Sequence, residues 1–169
     1  MFQTGAKLVG IAKAVSAVGM CSMLAMTEII QYIPQMEEET IEGQLGTILR
    51  KWGRRRAKVT EKVKVDGELK QHQFDFLISP PRKQPVSISI LNPTNGALSA
   101  AERFGFKAKD LVGTPFAKWR RIAVETKSEV WSADARRIVE KCADSVISIS
   151  SGGHPTYQMI SETLDRMVA

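Results

Sequence analysis

The sequence predicts an α/β protein in which an antiparallel three-strand meander continues, through alternating helices and strands, into a mixed sheet flanked by helices. Two patterns carry that expectation. Residues 57–91 hold three strand-like runs, separated by Asp66-Gly67 and then by a proline-rich turn. After Asn92-Pro93 the apolar period switches repeatedly between that of a helix and that of a strand. The bulk composition agrees: 169 residues, 43% apolar and 25% charged, suit one domain with a buried core.

Residues 1–35 are expected to be an apolar helical segment, and 36–169 a single α/β domain. Within the first, residues 8–26 (LVGIAKAVSAVGMCSMLAM) are apolar apart from Lys13 and two serines. A spanning helix needs about 20 predominantly apolar residues, and Lys13 interrupts this run early, so no membrane span is expected. Three readings stay open. The segment is a small-residue helix that packs on the domain or on a second copy of the chain, giving a homodimer. Alternatively it is a secretory signal, with Lys7 and Lys13 preceding an apolar stretch 14–26 and with Ala25 and Thr27 as small cleavage residues. In the third reading the protein proper starts at Met26.

A helix is expected over 38–52, because Ile41, Leu45, Ile48 and Leu49 fall at helical spacing. It ends near Gly53, with Arg50 and Lys51 in the last turn, where cations suit the helix dipole. Gly43 and Gly46 weaken it. Residues 57–65 alternate: Val59, Val63 and Val65 point one way, and Lys58, Thr60, Lys62 and Lys64 the other. Asp66-Gly67 is the dipeptide favoured in two-residue hairpin turns, whose central residues need positive φ. With Val65 facing Glu68, the return strand 68–78 sets Val59 opposite Phe74, Glu61 opposite His72 and Lys58 opposite Asp75.

Pro80, Pro81 and Pro85 make a rigid connection to a third strand, 86–91. A helix follows over 97–111, with Leu98, Ala101, Phe104 and Leu111 inward. The strand 119–125 comes next, then a helix over 133–143 capped by Ser132, with Ile138, Val139 and Cys142 on its inner face. A short strand, 145–150, and a terminal helix opened by Gly152-Gly153-His154-Pro155 and bearing Met159, Ile160, Leu164 and Met167 complete the chain.

Several chemistries are excluded or disfavoured. Cys21 and Cys142 match no metal spacing and read as buried thiols of a reducing, cytoplasmic compartment. Two histidines cannot build a histidine-rich metal site. His72 reads as the structural partner of Glu61. The amides around His154 form a simple turn sooner than an anion site. Ser145, Ser148, Ser150 and Ser151 lie in no nucleophile elbow.

The segments VKVDGELKQHQFDFLI, VSISILNP, GFKAKDL and RRIAVET resemble an uncharacterised bacterial and phage domain family, a degenerate version of the PD-(D/E)xK (restriction-endonuclease-like) nuclease core, over residues 40–150. The resemblance implies a defence-related setting and a nuclease-like fold. It also implies that Asp75, late in the second strand, stands where active members hold a divalent cation. The third strand then owes an acid and, two residues on, a lysine to complete the metal site and activate water. Ser87 and Ser89 stand there instead. Glu42 on the first helix is the remaining acid that the resemblance offers. No cofactor is therefore expected; Mg²⁺ enters only if Asp75 and Glu42 serve an active nuclease with a migrated ligand. The independent reading of Asp75 is a cross-strand ion pair with Lys58.

Charge supplies the other functional signal. The net charge is +6, and Arg54, Arg55 and Arg56 stand together between the first helix and the hairpin, followed by Lys58, Lys62 and Lys64 on one strand face. The acids cluster apart, in MEEETIE at 36–42. Such a patch suits phosphate contacts, although lysines on a strand also deter edge pairing. The expectation is a non-catalytic binding domain that contacts nucleic acid, or failing that a partner protein.

Overall fold

In the computed structural model, which describes residues 41–168, helix α1 covers residues 41–53 and places Leu45, Leu49 and Trp52 at 2% exposure or less. Strands β1 (Lys58–Asp66), β2 (Gln71–Ser79) and β3 (Val86–Leu91) follow, then α2 (Ala97–Asp110), β4 (Arg120–Glu125), α3 (Ala133–Cys142), β5 (Ser145–Ser148) and α4 (Tyr157–Val168). All of these residues lie in one compact unit, Thr40–Ala169. The expected N-terminal segment, its signal and dimer readings, Cys21 and the first turn of the 38–52 helix fall outside the described residues.

The five strands form one sheet in the order β1-β2-β3-β4-β5. The first three are antiparallel, while β3–β4 and β4–β5 are parallel. The mixed α/β class is thus as the sequence reads. Parallel neighbours need crossover helices, and α2 and α3 supply them. Together they pack Ala100, Ala101, Phe104, Ala135 and Val139 over Leu91 and Ala123. The larger cluster joins α1 and α4 to the sheet, with Leu45, Leu49, Ile160 and Leu164 against Phe76, Ile78, Ile88, Ile122 and Val124. Strand β3 is central, and even Ser87 and Ser89 are buried. Ser132 caps α3 as expected, its hydroxyl accepting from the Ala135 amide at 3.3 Å. Among the described residues no helix is long and apolar enough to cross a membrane.

The hairpin differs from the sequence expectation. Asp66 pairs with Gln71, Val65 with His72, Val63 with Phe74 and Lys58 with Ser79, so the register is displaced by four residues and Asp75 lies away from Lys58. The displacement is even, so each side chain keeps its face. The cause is a competing acceptor. In place of a two-residue turn, residues 67–70 close a loop with the Gly67 amide on the Lys70 carbonyl at 2.8 Å. Asp110, the last residue of α2, draws that loop in. Its carbonyl accepts from the Glu68 amide at 2.9 Å, and its carboxylate accepts from the amides of Leu69 at 2.9 Å and Lys70 at 3.3 Å. Three tertiary bonds to Asp110 outweigh the local preference of Asp-Gly.

A second correction concerns α2. Leu98 is 47% exposed rather than inward, because the alanine-rich stripe Ala97, Ala100, Ala101, Phe104 and Ala108 takes the buried side.

Candidate functional site

The basic segment sits where α1 hands over to β1. Arg54, Arg55 and Arg56 are all exposed, and Arg55 turns the chain with a φ of 66°. Arg56 donates to the Asp165 carboxylate on α4 at 3.1 Å, which also accepts from the Trp52 indole at 3.0 Å. Among the described residues Arg54 and Arg55 make no ion pair. Lys58 starts β1 opposite Ser79, and the next turn carries Arg82 and Lys83. Lys83 donates to the Val168 carbonyl, and Arg120 to that of Met167 at 2.6 Å. Two cations thereby satisfy carbonyls at the C-terminus of α4, where the helix dipole is negative.

The lysines further along β1 belong to different surroundings. Lys62 has a φ of 51° and pairs with Glu42 at 3.5 Å. Glu61 takes Arg50, not His72. Lys64 is exposed opposite Gln73, roughly 20 Å along the strand from Lys58 at about 3.4 Å per residue. The arginines, Lys58, Arg82 and Lys83 are thus grouped at one end of the hairpin, and Lys64 stands at the other.

Asp75 occupies a different environment from the one that the sequence suggests. The β2–β3 pairing runs only from Phe76↔Ile88 to Ile78↔Val86, and beyond it Asp75 Oδ2 accepts the Ile90 amide at 2.7 Å. The carboxylate thereby replaces a missing rung of the ladder. Lys107, on α2, reaches the same place: its Nζ donates to the Gln73 carbonyl at 2.6 Å and to Ser89 Oγ at 3.3 Å, and lies 4.7 Å from the Phe74 ring centroid. Burial lowers the Lys107 pKa from its ordinary value, against an upward pull from Asp75. Ser87 donates to the Arg120 carbonyl at 3.2 Å. Among the described residues, no three His, Cys, Asp or Glu side chains gather as a metal-holding group.

Sequence reasoning passed over Lys107 and Asp110. Both lie in GFKAKDL, three residues apart, a spacing that puts them on one side of a helix. His72, buried, places Nε2 2.6 Å from Asp110 Oδ2, so its partner is Asp110 and not the expected Glu61. The turn before α4 keeps its amides for itself. The Gly153 amide donates to the Ser150 carbonyl at 2.9 Å, and that of Ser151 to the Glu129 carboxylate at 3.1 Å. Cys142 is half-buried and free.

Glu125, at the end of β4, was also missed. It is 1% exposed; Oε2 accepts from Ser148 at 3.1 Å, while Oε1 has no hydrogen-bond partner among the described residues. Burial raises its pKa, against the Ser148 hydrogen bond and the charge of Arg136, and Glu140 adds to the rise. A raised carboxyl keeps a proton in the folded state that the unfolded chain releases, so stability falls as pH climbs from the ordinary value of 4.5 through the folded value. Glu125→Gln should therefore raise the urea midpoint at neutral pH and remove that fall. Denaturation curves on both sides of the window check it.

No family model matches the chain, and no curated protein does. Among solved structures the chain is similar to one titled "Crystal Structure of Protein of Unknown Function AF1548", at 12% identity and a TM-score of 0.47. The likeness covers 73% of this chain and 65% of that one.

Proposed function

We propose that this chain is a non-catalytic nucleic-acid-binding domain on a degenerate PD-(D/E)xK-like core, with its phosphate contacts at the start of the hairpin. The observation that carries the reading is the pair Arg54 and Arg55. Both are exposed and free of ion pairs among the described residues, beside Arg56 and Lys58 and close in register to the Arg82-Lys83 turn. Exposed guanidinium groups on a turn match phosphate oxygens as planar forks, and the one acid in contact, Asp165, is already shared by Arg56 and Trp52. Lys62 and Lys64 contribute less, one paired with Glu42 and the other far along the strand.

Polarisation titrations with duplex DNA at several salt concentrations test this. Log affinity should fall against log salt by about 0.9 for each phosphate neutralised. Replacing Arg54, Arg55 and Arg56 together by alanine should weaken binding on every sequence alike and flatten that slope by up to about 2.7 on the same scale. If the parent binds no nucleic acid at low salt, or the variant binds as tightly as the parent, the reading fails and a partner protein takes its place.

One observation favours a second reading, a metal-dependent nuclease with a migrated amine. Lys107 reaches Ser89 beside Asp75, close to where such an enzyme carries its lysine. The reading lacks a second carboxylate, since Glu42 is held by Lys62. Mg²⁺-dependent cleavage that disappears in Asp75→Asn and in Lys107→Met would favour it over the first.

A further inference from the structure

Away from the arginine triplet, α2 and α3 flank an open groove of about 590 Å³, within the range typical of small-molecule sites. The two helices meet closely at Gly105, where a Cβ would stand 3.2 Å from Ile138. Alongside that contact the groove has apolar walls from Phe106, Val112 and Ile138, and three cations, Lys109, Arg121 and Lys141, against one acid, Glu102. Phe106 and Val112 are 40% and 68% exposed, more than core packing requires. Arg121 is half-buried, whereas Lys109 and Lys141 are exposed. One guanidinium nitrogen reaches the Ala117 carbonyl at 3.4 Å, and among the described residues its buried Nε has no hydrogen-bond partner. Asp144, just before β5, accepts from the Arg121 backbone amide at 2.7 Å.

We infer that this groove is a binding site for a small amphiphilic carboxylate, its apolar body on Phe106, Val112 and Ile138 and its anionic head among Arg121, Lys109 and Lys141. The apolar walls drive entry by removing the ligand's hydrocarbon from water. The cations fix its orientation, because a carboxylate forms charge-assisted hydrogen bonds with guanidinium and ammonium groups. The excess of cations over acids selects an anion over a neutral molecule of the same shape. Nothing in this inference depends on nucleic-acid binding.

The test is an amide NMR titration of the full chain with octanoate and, separately, with octanol, which has the same chain length and no charge. Octanoate should saturably shift the amides of Phe106, Val112, Arg121 and Ile138, and octanol should bind at the same place about tenfold more weakly. Lys109→Gln combined with Lys141→Gln changes only exposed side chains, and should weaken octanoate about tenfold while leaving octanol unchanged. Arg121→Gln should do the same if it folds; the double variant decides if it does not. Octanoate and octanol binding equally, shifts confined to other amides, or unchanged octanoate affinity in the double variant would each overturn the site.

Discussion

Gly67→Ala should destabilise the fold by roughly 1–3 kcal/mol, the range for forced overpacking, while Gly113→Ala, on the other side of the same loop, should cost less than about 0.5 kcal/mol. Gly67 is the glycine of the Asp-Gly pair, yet positive φ is not why it is needed: among the described glycines only Gly96 and Gly152 have it. Its reason is space. A Cβ there would stand 2.1 Å from Asp110 Oδ2 and 2.8 Å from the Lys70 carbonyl oxygen. Neither can retreat, since Asp110 is 4% exposed and holds His72 and two backbone amides. A Cβ at Gly113 would meet Glu68 Oε1, the far end of an exposed side chain that can swing away. Urea denaturation of the two variants measures the contrast, and equal costs would refute the account.

The same cluster has an acid-side signature. Burial pushes the Asp110 carboxyl up, but the hydrogen bonds from His72 and from the Leu69 and Lys70 amides outweigh it, and the pKa lies below the ordinary 3.8. A depressed carboxyl stabilises the fold at pH above the unfolded value, and that contribution is lost as pH falls through the folded one. Asp110→Asn should therefore flatten the acid limb of the stability profile below about pH 4.

Where a signal is local, the sequence discloses the fold. Alternation over 57–65 and helical spacing over 97–111 and 133–143 each place an element to within a few residues, because period and burial are properties of consecutive side chains. The hairpin register is not local. Its deciding acceptor, Asp110, stands 43 residues beyond Gly67 and reaches the loop only once α2 has packed. Leu98 failed for a related reason: alanines carry the buried stripe, so the largest apolar side chain of the first turn did not mark the inner face. At the site, the arginine triplet announces itself by adjacency. Lys107 does not, since its relation to Asp75 spans 32 residues and two elements.

That relation gives the remaining expected result. Asp75→Ala should destabilise by roughly 1.5–3 kcal/mol, the range for hydrogen bonds to charged groups, because the Ile90 amide loses its acceptor where the β2–β3 ladder has ended. It also leaves Lys107 without the carboxylate that opposes its downward shift. Lys107→Met in the Asp75→Ala background should then recover part of the loss, with a coupling above about 0.5 kcal/mol. The pH dependence follows from the direction of the shift. Between the lowered folded value and the ordinary 10.5, the folded chain has released a proton that the unfolded chain keeps, so stability rises with pH across that window. In Asp75→Asn an acceptor for Ile90 survives while the charge is gone, so the loss at neutral pH should shrink while the window opens at lower pH. Denaturant titrations of the four proteins of the cycle, and of Asp75→Asn from neutral to alkaline pH, read all of this. Strict additivity would mean that Asp75 and Lys107 do not act on each other. A carboxylate that primarily closes the ladder can be amidated without harm to the proposed phosphate contacts, so under the nucleic-acid-binding proposal Asp75→Asn should bind duplex DNA as the parent does.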